Sequence, residues 1–212
     1  MPPVTPAADP RPNLFGLAQH RLAEALRDLT PRAFHATQLS RWMHQRLATD
    51  FEAMTDLPSP LRRTLAERFR IAWPQARLAG TSCDGSRKMV LTLEDGLEVE
   101  AVHMVHDDRV TFCLSSQVGC ALDCAFCLTG TMGLRRQMTA PEIAGQAAAL
   151  LHAVPVERAR LRIVFMGMGE PLHNYDAVLE AFRLLVDPHG FGLAPRRVTL
   201  STAGLVPGIE RL

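Results

Sequence analysis

The sequence predicts an α/β protein in which a small helical domain and a β-hairpin region precede a parallel sheet or barrel. Three observations predict this class: helix start signals recur in the first third of the chain, an Asp-Gly turn joins two strand-like segments, and the remainder alternates strands and helices in the order βαβαβ. The chain has 212 residues, of which 47% are hydrophobic. This length suits one large domain with a smaller one attached.

The first region is predicted to be helical over residues 13–75. Residues 1–12 are rich in Pro and Ala, so we expect a disordered tail there. Thr30-Pro31 and Ser59-Pro60 each combine an N-cap residue with a proline at the first helical position. The predicted helices cover residues 14–29, 30–47 and 59–69. No catalytic constellation appears in this region, and we expect it to serve packing or positioning.

Strand patterns begin in a hairpin region, residues 76–108. Glu94-Asp95-Gly96 is a strong hairpin turn signal between two strand-like segments. The predicted strands cover residues 88–93, 97–103 and 109–114. The last of these strands opens the region that carries the βαβαβ pattern.

Residues 109–212 are predicted to form the main α/β core. Thr139-Ala140-Pro141-Glu142 is a helix start with an acid in the first turn, and residues 163–166 are a short apolar run typical of a buried parallel strand. A helix over residues 174–186 and a strand over 197–201 complete the alternation. Parallel strands of this kind place a functional site at their carboxyl ends. Three strands do not close a barrel, so we expect an incomplete one.

The charge balance is nearly neutral, with 23 Lys and Arg residues against 22 Asp and Glu residues. Bulk charge therefore predicts no polyanionic partner. Arg135-Arg136 and Arg196-Arg197 are candidates for holding RNA phosphates, although paired arginines are as often solvated surface. The sequence contains no apolar signal core and no run of membrane-spanning length, so we expect a cytoplasmic protein without a membrane partner.

A cysteine cluster carries the chemistry. Four of the five cysteines, Cys113, Cys120, Cys124 and Cys127, lie within 15 residues, and the last three have CxxxCxxC spacing. Three thiolates can hold three irons of a [4Fe–4S] cluster and leave the fourth iron open for the amino and carboxylate groups of S-adenosylmethionine. Structural zinc is the alternative, with Cys113 as a fourth ligand. The spacing favours the iron–sulfur cluster, because zinc sites usually pair two CxxC motifs.

Two residues beside the cysteines fit this use. Phe126 is expected to shield the cluster and pack near the adenine, and Gly119 is expected to let the backbone approach the cluster. The fifth cysteine, Cys83, lies apart from the others and matches no functional pattern.

The cysteine string and several longer segments resemble the adenosine C2-methyltransferases of the RlmN/Cfr family, which are radical S-adenosylmethionine (radical SAM) enzymes. The matching segments are FCLSSQVGCALDCAFCLTG, TAPEIAGQ, IVFMGMGEPLHNYDAV and FGLAPRRVTLSTAGLVPGI, with FHATQLSRWMHQR, DFEAMTDLP and LEDGLEVEAV nearer the N-terminus. The resemblance covers most of residues 30–212. It implies a partial (β/α) radical SAM barrel preceded by a small N-terminal domain.

The resemblance also implies an activity, methylation of C2 of an adenosine in 23S rRNA and, in some members, in tRNA. In the implied mechanism, one S-adenosylmethionine methylates a cysteine near the C-terminus. A second is cleaved to a 5′-deoxyadenosyl radical, which activates that methyl group, and another cysteine resolves the protein–RNA adduct by forming a disulfide. The implied partners are 23S rRNA, tRNA and an electron donor such as flavodoxin, and we expect a monomer.

The resemblance assigns two catalytic residues. Cys113 falls at the position of the resolving cysteine, and Glu100 falls at that of the proposed proton acceptor. Without the resemblance, Cys113 would be interpreted as a buried strand-end thiol and Glu100 as an ordinary strand carboxylate.

The resemblance also assigns residues to the S-adenosylmethionine site. Gly169 and Glu170, within Gly167-Met168-Gly169-Glu170-Pro171, match this site, and the carboxylate is expected to accept hydrogen bonds from the methionyl ammonium. Ser201 matches another ligand contact. Taken alone, the first segment would be a turn and Ser201 a strand-end cap. Asn174 is interpreted as a helix N-cap.

The sequence departs from the family in one respect. Family members continue well beyond residue 212 and supply the methyl-carrying cysteine, whereas no cysteine follows Cys127 here. We therefore expect either a fragment or a truncated gene product. Two other functions stay open at this point, a zinc-stabilised RNA-binding module without catalysis and an inactive truncated product.

Overall fold

The computed structural model describes residues 9–30, 32–154 and 156–212. Its centre is a six-stranded sheet in the order β1-β2-β3-β4-β7-β8, and β5 and β6 form a separate two-stranded sheet. The strands are Gln75–Thr81 (β1), Arg87–Thr92 (β2), Glu98–His106 (β3), Arg109–Leu114 (β4), Gln117–Gly119 (β5), Leu134–Gln137 (β6), Leu161–Phe165 (β7) and Val198–Leu200 (β8). The α-helices are Gln19–Ala25 (α1), Phe34–His44 (α2), Ser59–Arg68 (α3), Leu128–Thr131 (α4), Ala140–Ala153 (α5), Tyr175–Val186 (α6) and Val206–Ile209 (α7).

The predicted α/β class is confirmed. Strand β4 pairs in parallel with β7, and β7 pairs in parallel with β8, so the three strands of the βαβαβ pattern lie side by side. Helix α5 begins at the predicted start, where Thr139 and Glu142 form a reciprocal capping box. The carboxyl ends of these strands meet at one edge of the sheet, as the pattern requires.

The predicted β-hairpin also forms, and it belongs to the main sheet. Strands β1, β2, β3 and β4 pair antiparallel in succession, so residues 76–108 continue the sheet of the parallel strands. Gly96 has φ +80 at the β2–β3 turn, and the Asp95 carboxylate accepts a hydrogen bond from the Leu97 N–H at 3.0 Å. Sequence reasoning missed β1, because Gln75–Thr81 lies mostly exposed and has no apolar alternation.

The helical region differs from the prediction at its start. Helix α1 spans only Gln19–Ala25, whereas residues 14–29 were predicted to be helical. The preceding segment is extended, because the Asn13 side chain accepts from the N–H groups of Phe15 and Ala72, both at 3.1 Å. Leu14 and Phe15 are buried in the core from this extended segment.

The remaining N-terminal predictions have mixed outcomes. The Thr30-Pro31 start involves Pro31, which lies outside the described residues, and α2 begins at Phe34. Residues 1–8 of the predicted tail also lie outside them, whereas the Arg11 carbonyl accepts from the Arg70 side chain and the Pro12 carbonyl from the Arg70 backbone N–H. The described end of the tail is therefore bound to the helical domain. No helix formed by residues 9–30, 32–154 or 156–212 is both long and apolar enough to cross a bilayer.

A half-buried arginine joins the helical domain to the core. The Arg158 guanidinium donates to the carbonyl oxygens of His44 at 2.6 Å and Gln45 at 2.9 Å, at the C-terminus of α2. It also donates to the Phe191 carbonyl at 3.0 Å. A cation at this end of a helix is favourable, because the last carbonyls of a helix carry partial negative charge.

Candidate functional site

The three closely spaced cysteines lie on a loop between β5 and β6, residues 120–127, named here the cysteine loop. Strands β5 and β6 pair antiparallel, and the Cys120 N–H donates to the Gly133 carbonyl at 3.2 Å. Gly119 has φ +80, and a Cβ there would lie 1.9 Å from the Gly133 oxygen. Gly119 therefore allows the close approach of the second strand of the hairpin, in addition to any approach to a cluster.

The loop brings the thiols into partly exposed positions. Cys120, Cys124 and Cys127 have intermediate exposure, and the Cys127 N–H donates to the Cys124 carbonyl at 2.9 Å. Backbone hydrogen bonds from Gly130 and Thr129, at the start of α4, lower the pKa of the Cys127 thiol. Donors of this kind favour the thiolate, which is the form that ligates metals.

The donor set fits an iron–sulfur cluster. Cysteine thiolates are the ligands that such clusters use. Among the described residues, no three His, Cys, Asp or Glu side chains are grouped closely enough to hold one metal ion. Cys120, Cys124 and Cys127 are therefore the residues that would hold a cluster.

Apolar side chains surround the cysteine loop and face solvent. Phe126 is 94% exposed and Leu128 is 82% exposed. Met132 is also exposed. Phe126 does not cover the thiols in this arrangement, so its expected shielding role stays a prediction. An exposed apolar rim beside reactive thiols is typical of a surface that binds a ligand.

Residues 167–171, named here the GMGEP turn, follow β7 and pack against the link between β4 and β5. The Gly167 N–H donates to the Leu114 carbonyl at 3.0 Å, and a Cβ at Gly167 would lie 2.7 Å from the Ser115 hydroxyl. The Met168 N–H donates to that hydroxyl at 2.8 Å. The GMGEP turn therefore packs against the β4–β5 link at the carboxyl ends of β4 and β7.

Glu170 is buried and both of its carboxylate oxygens accept backbone hydrogen bonds. One oxygen accepts from the Leu172 N–H at 2.9 Å and the other from the Ala203 N–H at 2.7 Å. The carboxylate thus joins the end of β7 to the loop after β8. Each oxygen retains a further lone pair, so acceptance from a methionyl ammonium stays a prediction.

Ser201 lies at the end of β8, and its N–H donates to the Phe165 carbonyl at 3.2 Å. Two residues later, Ala203 contacts Glu170. Gly169 has φ +95 and adjoins Glu170 within the turn. The structure therefore brings the three expected ligand residues to one edge of the sheet.

The two expected catalytic residues lie on one face of the sheet. Cys113 is opposite Val102 in β3, and Glu100 is two residues before Val102, so both side chains are on the same side. Burial raises the pKa of the Cys113 thiol. The Glu100 carboxylate is 2.6 Å from the Lys88 ammonium. The backbone carbonyl of Glu100 accepts a hydrogen bond from the Ser115 hydroxyl.

All five cysteines are free thiols, so no disulfide exists among the described residues. The disulfide that the family resemblance implied is therefore not supported by the cysteines of this chain.

One of the candidate phosphate-binding arginines already forms ion pairs with two carboxylates. Arg136 lies 2.6 Å from Asp95 and 2.8 Å from Glu142, and these hydrogen bonds, led by Glu142, raise its pKa. Arg135 is exposed. In the second pair, Arg197 donates to the Arg158 carbonyl at 3.0 Å, whereas Arg196 is exposed. Only one arginine of each pair is thus presented to solvent for a phosphate.

Sequence reasoning placed Asn174 correctly at the N-cap position of α6, did not predict the partners of its side chain, and missed Gln117. The Asn174 side chain makes no N-cap hydrogen bond, and it donates instead to the carbonyls of Ser116 at 2.8 Å and Met138 at 2.7 Å. Gln117 is fully buried and accepts from the Glu170 N–H at 2.9 Å. Nothing in a single sequence separates a buried amide from a surface one, although the position of Gln117 three residues before Cys120 was a usable signal.

The sequence matches two family models. Residues 12–71 match the family described as ribosomal RNA large subunit methyltransferase N-terminal domain, and residues 114–212 match the radical SAM superfamily. A crystal structure of a radical SAM methyltransferase from Sphaerobacter thermophilus superposes with a TM-score of 0.84 at 39% identity, covering 94% of this chain and 59% of that chain. The fold and the cysteine loop thus define a radical SAM protein with a partial barrel.

Curated relatives make the assignment more particular. The dual-specificity RNA methyltransferase RlmN of Halorhodospira halophila is 46% identical over 199 residues, covering 94% of this chain and 55% of the relative. The protein of the same name from Rhodospirillum rubrum is 47% identical over 206 residues, covering 94% and 48% respectively. The chain belongs to the RlmN family of radical SAM methyltransferases. It spans about half the length of these relatives. Membership implies a [4Fe–4S] cluster and S-adenosylmethionine as cofactors.

Proposed function

We propose that this chain carries the cofactor-binding part of a methyltransferase that forms 2-methyladenosine in 23S rRNA and in tRNA. The observation that carries the proposal is the contact between the β4–β5 link, which leads into the cysteine loop, and the GMGEP turn, where the Ser116 N–H donates to the Met168 carbonyl at 2.8 Å. The name of the curated relatives supports two RNA substrates, because it describes a dual-specificity RNA methyltransferase.

Three thiols are assigned to the cluster, those of Cys120, Cys124 and Cys127. When bound, a [4Fe–4S] cluster supplies the electron that splits the sulfonium of S-adenosylmethionine. Gly169, Glu170 and Ser201 are assigned to the methionyl part of that ligand. The backbone of Gly169 can approach a ligand closely, since it has no side chain and adopts φ +95.

Glu100 and Cys113 are assigned to the substrate side of the site. Glu100 is half exposed, so its carboxylate is accessible for taking a proton from a bound base. Cys113 is buried, and its raised pKa keeps it a protonated thiol until it is used. The proposal also includes an electron donor such as flavodoxin as a partner. In it, the chain acts as a monomer in the cytoplasm.

Anaerobic reconstitution with iron and sulfide tests the assignment. The proposal expects about four irons per chain and, with dithionite and S-adenosylmethionine, release of 5′-deoxyadenosine. The Cys124→Ala variant should lose the cluster, and the Cys83→Ala variant should keep it, because Cys83 is an exposed residue in the β1–β2 turn.

The same experiment separates the alternative function. A zinc-stabilised RNA-binding module would retain about one zinc per chain in air and would release no 5′-deoxyadenosine. A colourless protein with that zinc content would contradict the radical assignment.

A further inference from the structure

A buried amide links the cysteine loop to the GMGEP turn. Gln117 lies at the start of β5, three residues before Cys120, and its side chain is fully buried. Its carbonyl oxygen accepts a hydrogen bond from the Glu170 N–H at 2.9 Å. Its amide nitrogen donates to the Gln137 side-chain oxygen at 2.9 Å and lies 3.1 Å from His173 Nδ1. The Gln117 side chain therefore contacts the GMGEP turn and both strands of the β5–β6 hairpin, named here the cysteine hairpin.

The partners of Gln117 are held in turn. The Gln137 amide nitrogen donates to the His173 carbonyl at 3.0 Å. Asn174, the next residue, uses its amide nitrogen to bind the carbonyls that precede β5 and follow β6. Both ends of the hairpin are thus fixed to the segment that follows the GMGEP turn. Gln117 and Asn174 are both buried, so an unpaired amide on either side chain would be costly.

The packing of the turn onto Gln117 is tight. A Cβ added at Gly169 would lie 2.5 Å from Gln117 Cβ and 2.8 Å from its carbonyl oxygen. Only glycine fits this contact, and it also has φ +95 there. The Gln117 side chain is therefore in direct contact with the backbone of Gly169 and bonded to that of Glu170.

We propose that Gln117 is a positioning residue that couples the cysteine loop to the ligand-binding turn, so that affinity for S-adenosylmethionine depends on its amide. The inference rests on the proposed function and adds a residue to it. Glutamine suits the role because one planar group both accepts from the turn and donates to the hairpin. Leucine has a similar size and can do neither, whereas glutamate keeps the acceptor.

The test compares Gln117→Leu, Gln117→Glu and a matched control, Gln146→Leu. Gln146 is equally buried and bonds the Ser115 backbone, but it makes no hydrogen bond to the GMGEP turn. All variants are reconstituted anaerobically, and three properties are measured: iron content, the dissociation constant of S-adenosylmethionine by equilibrium dialysis, and the change in the EPR signal of the reduced protein on adding it.

Gln117→Leu should keep its iron and bind S-adenosylmethionine roughly tenfold more weakly, the factor expected for losing the hydrogen bond that reaches the GMGEP turn. Its EPR signal should change less on ligand addition. Gln117→Glu should retain most of the affinity. Gln146→Leu should lose stability and keep the affinity of the unchanged chain.

A second measurement needs no cofactor. Hydrogen exchange of the Glu170 amide should be at least about tenfold faster in Gln117→Leu than in the unchanged chain, since its acceptor is gone. Amides within β7 should exchange at the same rate in both. If Gln117→Leu does not fold, Gln117→Ala takes its place in the same measurements and should show the same loss of affinity and the same faster exchange at Glu170, because alanine also lacks the acceptor.

The outcomes separate the two proposals. Equal affinities for Gln117→Leu and the unchanged chain, or an equal loss in Gln146→Leu, would overturn the coupling and leave the proposed function intact. An unchanged chain that takes up no iron would overturn the proposed function and the coupling with it.

Discussion

The ammonium group of Lys88 lies 2.6 Å from a carboxylate oxygen of Glu100, diagonally across the β2–β3 ladder. Lys88 is the single lysine of the chain. Both side chains are about half exposed, so water screens the pair. We expect a coupling energy below about 1 kcal/mol from a double-mutant cycle of Lys88→Met and Glu100→Gln in urea unfolding. A coupling above about 2 kcal/mol would mean that Glu100 is held too firmly to act as a mobile acceptor.

The stability of the helical domain should depend on pH through His44. Burial between Phe15 and Phe191 lowers the pKa of His44 to about 4. An unfolded histidine titrates near 6.5, so between pH 6.5 and 4 the unfolded chain binds the additional proton. The contribution of His44 is therefore complete above pH 6.5 and falls by about 3 kcal/mol as the pH drops to 4.

Urea unfolding at several pH values checks this sign. His44→Phe should flatten the loss of stability between pH 6.5 and 4, and exposed His20→Gln should leave it unchanged. Some slope should remain, because burial also lowers the pKa of His35 and His103. A steeper slope in His44→Phe would contradict the assignment.

Arg136 should contribute to stability and Arg135 should not. The Arg136 guanidinium makes hydrogen bonds of 2.7–2.9 Å to Asp95 and Glu142, joining the β2–β3 turn to the start of α5. Arg136→Gln should lower the free energy of unfolding by about 2 kcal/mol, because charge-assisted hydrogen bonds are lost. Exposed Arg135→Gln should change it by less than about 0.5 kcal/mol. In RNA-binding measurements at several salt concentrations, Arg135→Gln should lower the affinity and Arg136→Gln should not.

Gly119→Ala should disrupt the cysteine hairpin. The added Cβ would lie 1.9 Å from the Gly133 oxygen, and the residue has φ +80. Gly85→Ala is the matched control, since Gly85 has φ +82 but no atom within 4 Å of the added Cβ. We expect Gly85→Ala to cost about 1 kcal/mol of stability and Gly119→Ala to cost more than about 3 kcal/mol, measured by thermal unfolding. Similar losses in both would show that φ strain alone is responsible.

The thiols should differ in reactivity before a cluster is bound. Backbone donors lower the pKa of Cys127, whereas burial raises the pKa of Cys113. At pH 7 a larger fraction of Cys127 is therefore thiolate. Iodoacetamide labelling followed by mass spectrometry should modify Cys127 at least about tenfold faster than Cys113. In concentrated urea the two rates should converge, and a persistent difference there would point to another cause.

Local signals were sufficient for much of the fold. The Asp95-Gly96 turn and the Thr139/Glu142 capping box each lie within four residues of sequence, and both form as predicted. Strands β5 and β6 were missed because they have three and four residues and no apolar period. Their pairing depends on long-range contacts to Asn174 and the GMGEP turn, which no local pattern records.

The candidate site was predictable in outline. The cysteine spacing located the loop, and the glycines located the turn, because each motif is short and continuous. The amide contacts between them were not predictable, since Gln117 and Glu170 are 53 residues apart. The partners of the Asn174 amide were unpredictable for the same reason: the residue takes the predicted N-cap position of α6, but its amide donates to distant carbonyls.

The two edges of strand β4 acquire their partner strands at different times during synthesis of the chain. One edge of β4 pairs with β3 through a tight turn, where His106 is opposite Arg109. The other edge can pair only after β7 has been synthesised, and there Val110 is opposite Leu161. At usual rates of translation, the ribosome needs roughly 2–9 s to make the intervening residues. During that time the nascent chain presents a bare hydrogen-bonding edge to its neighbours. Slower synthesis or crowded expression should therefore raise aggregation of this protein before its native sheet is complete.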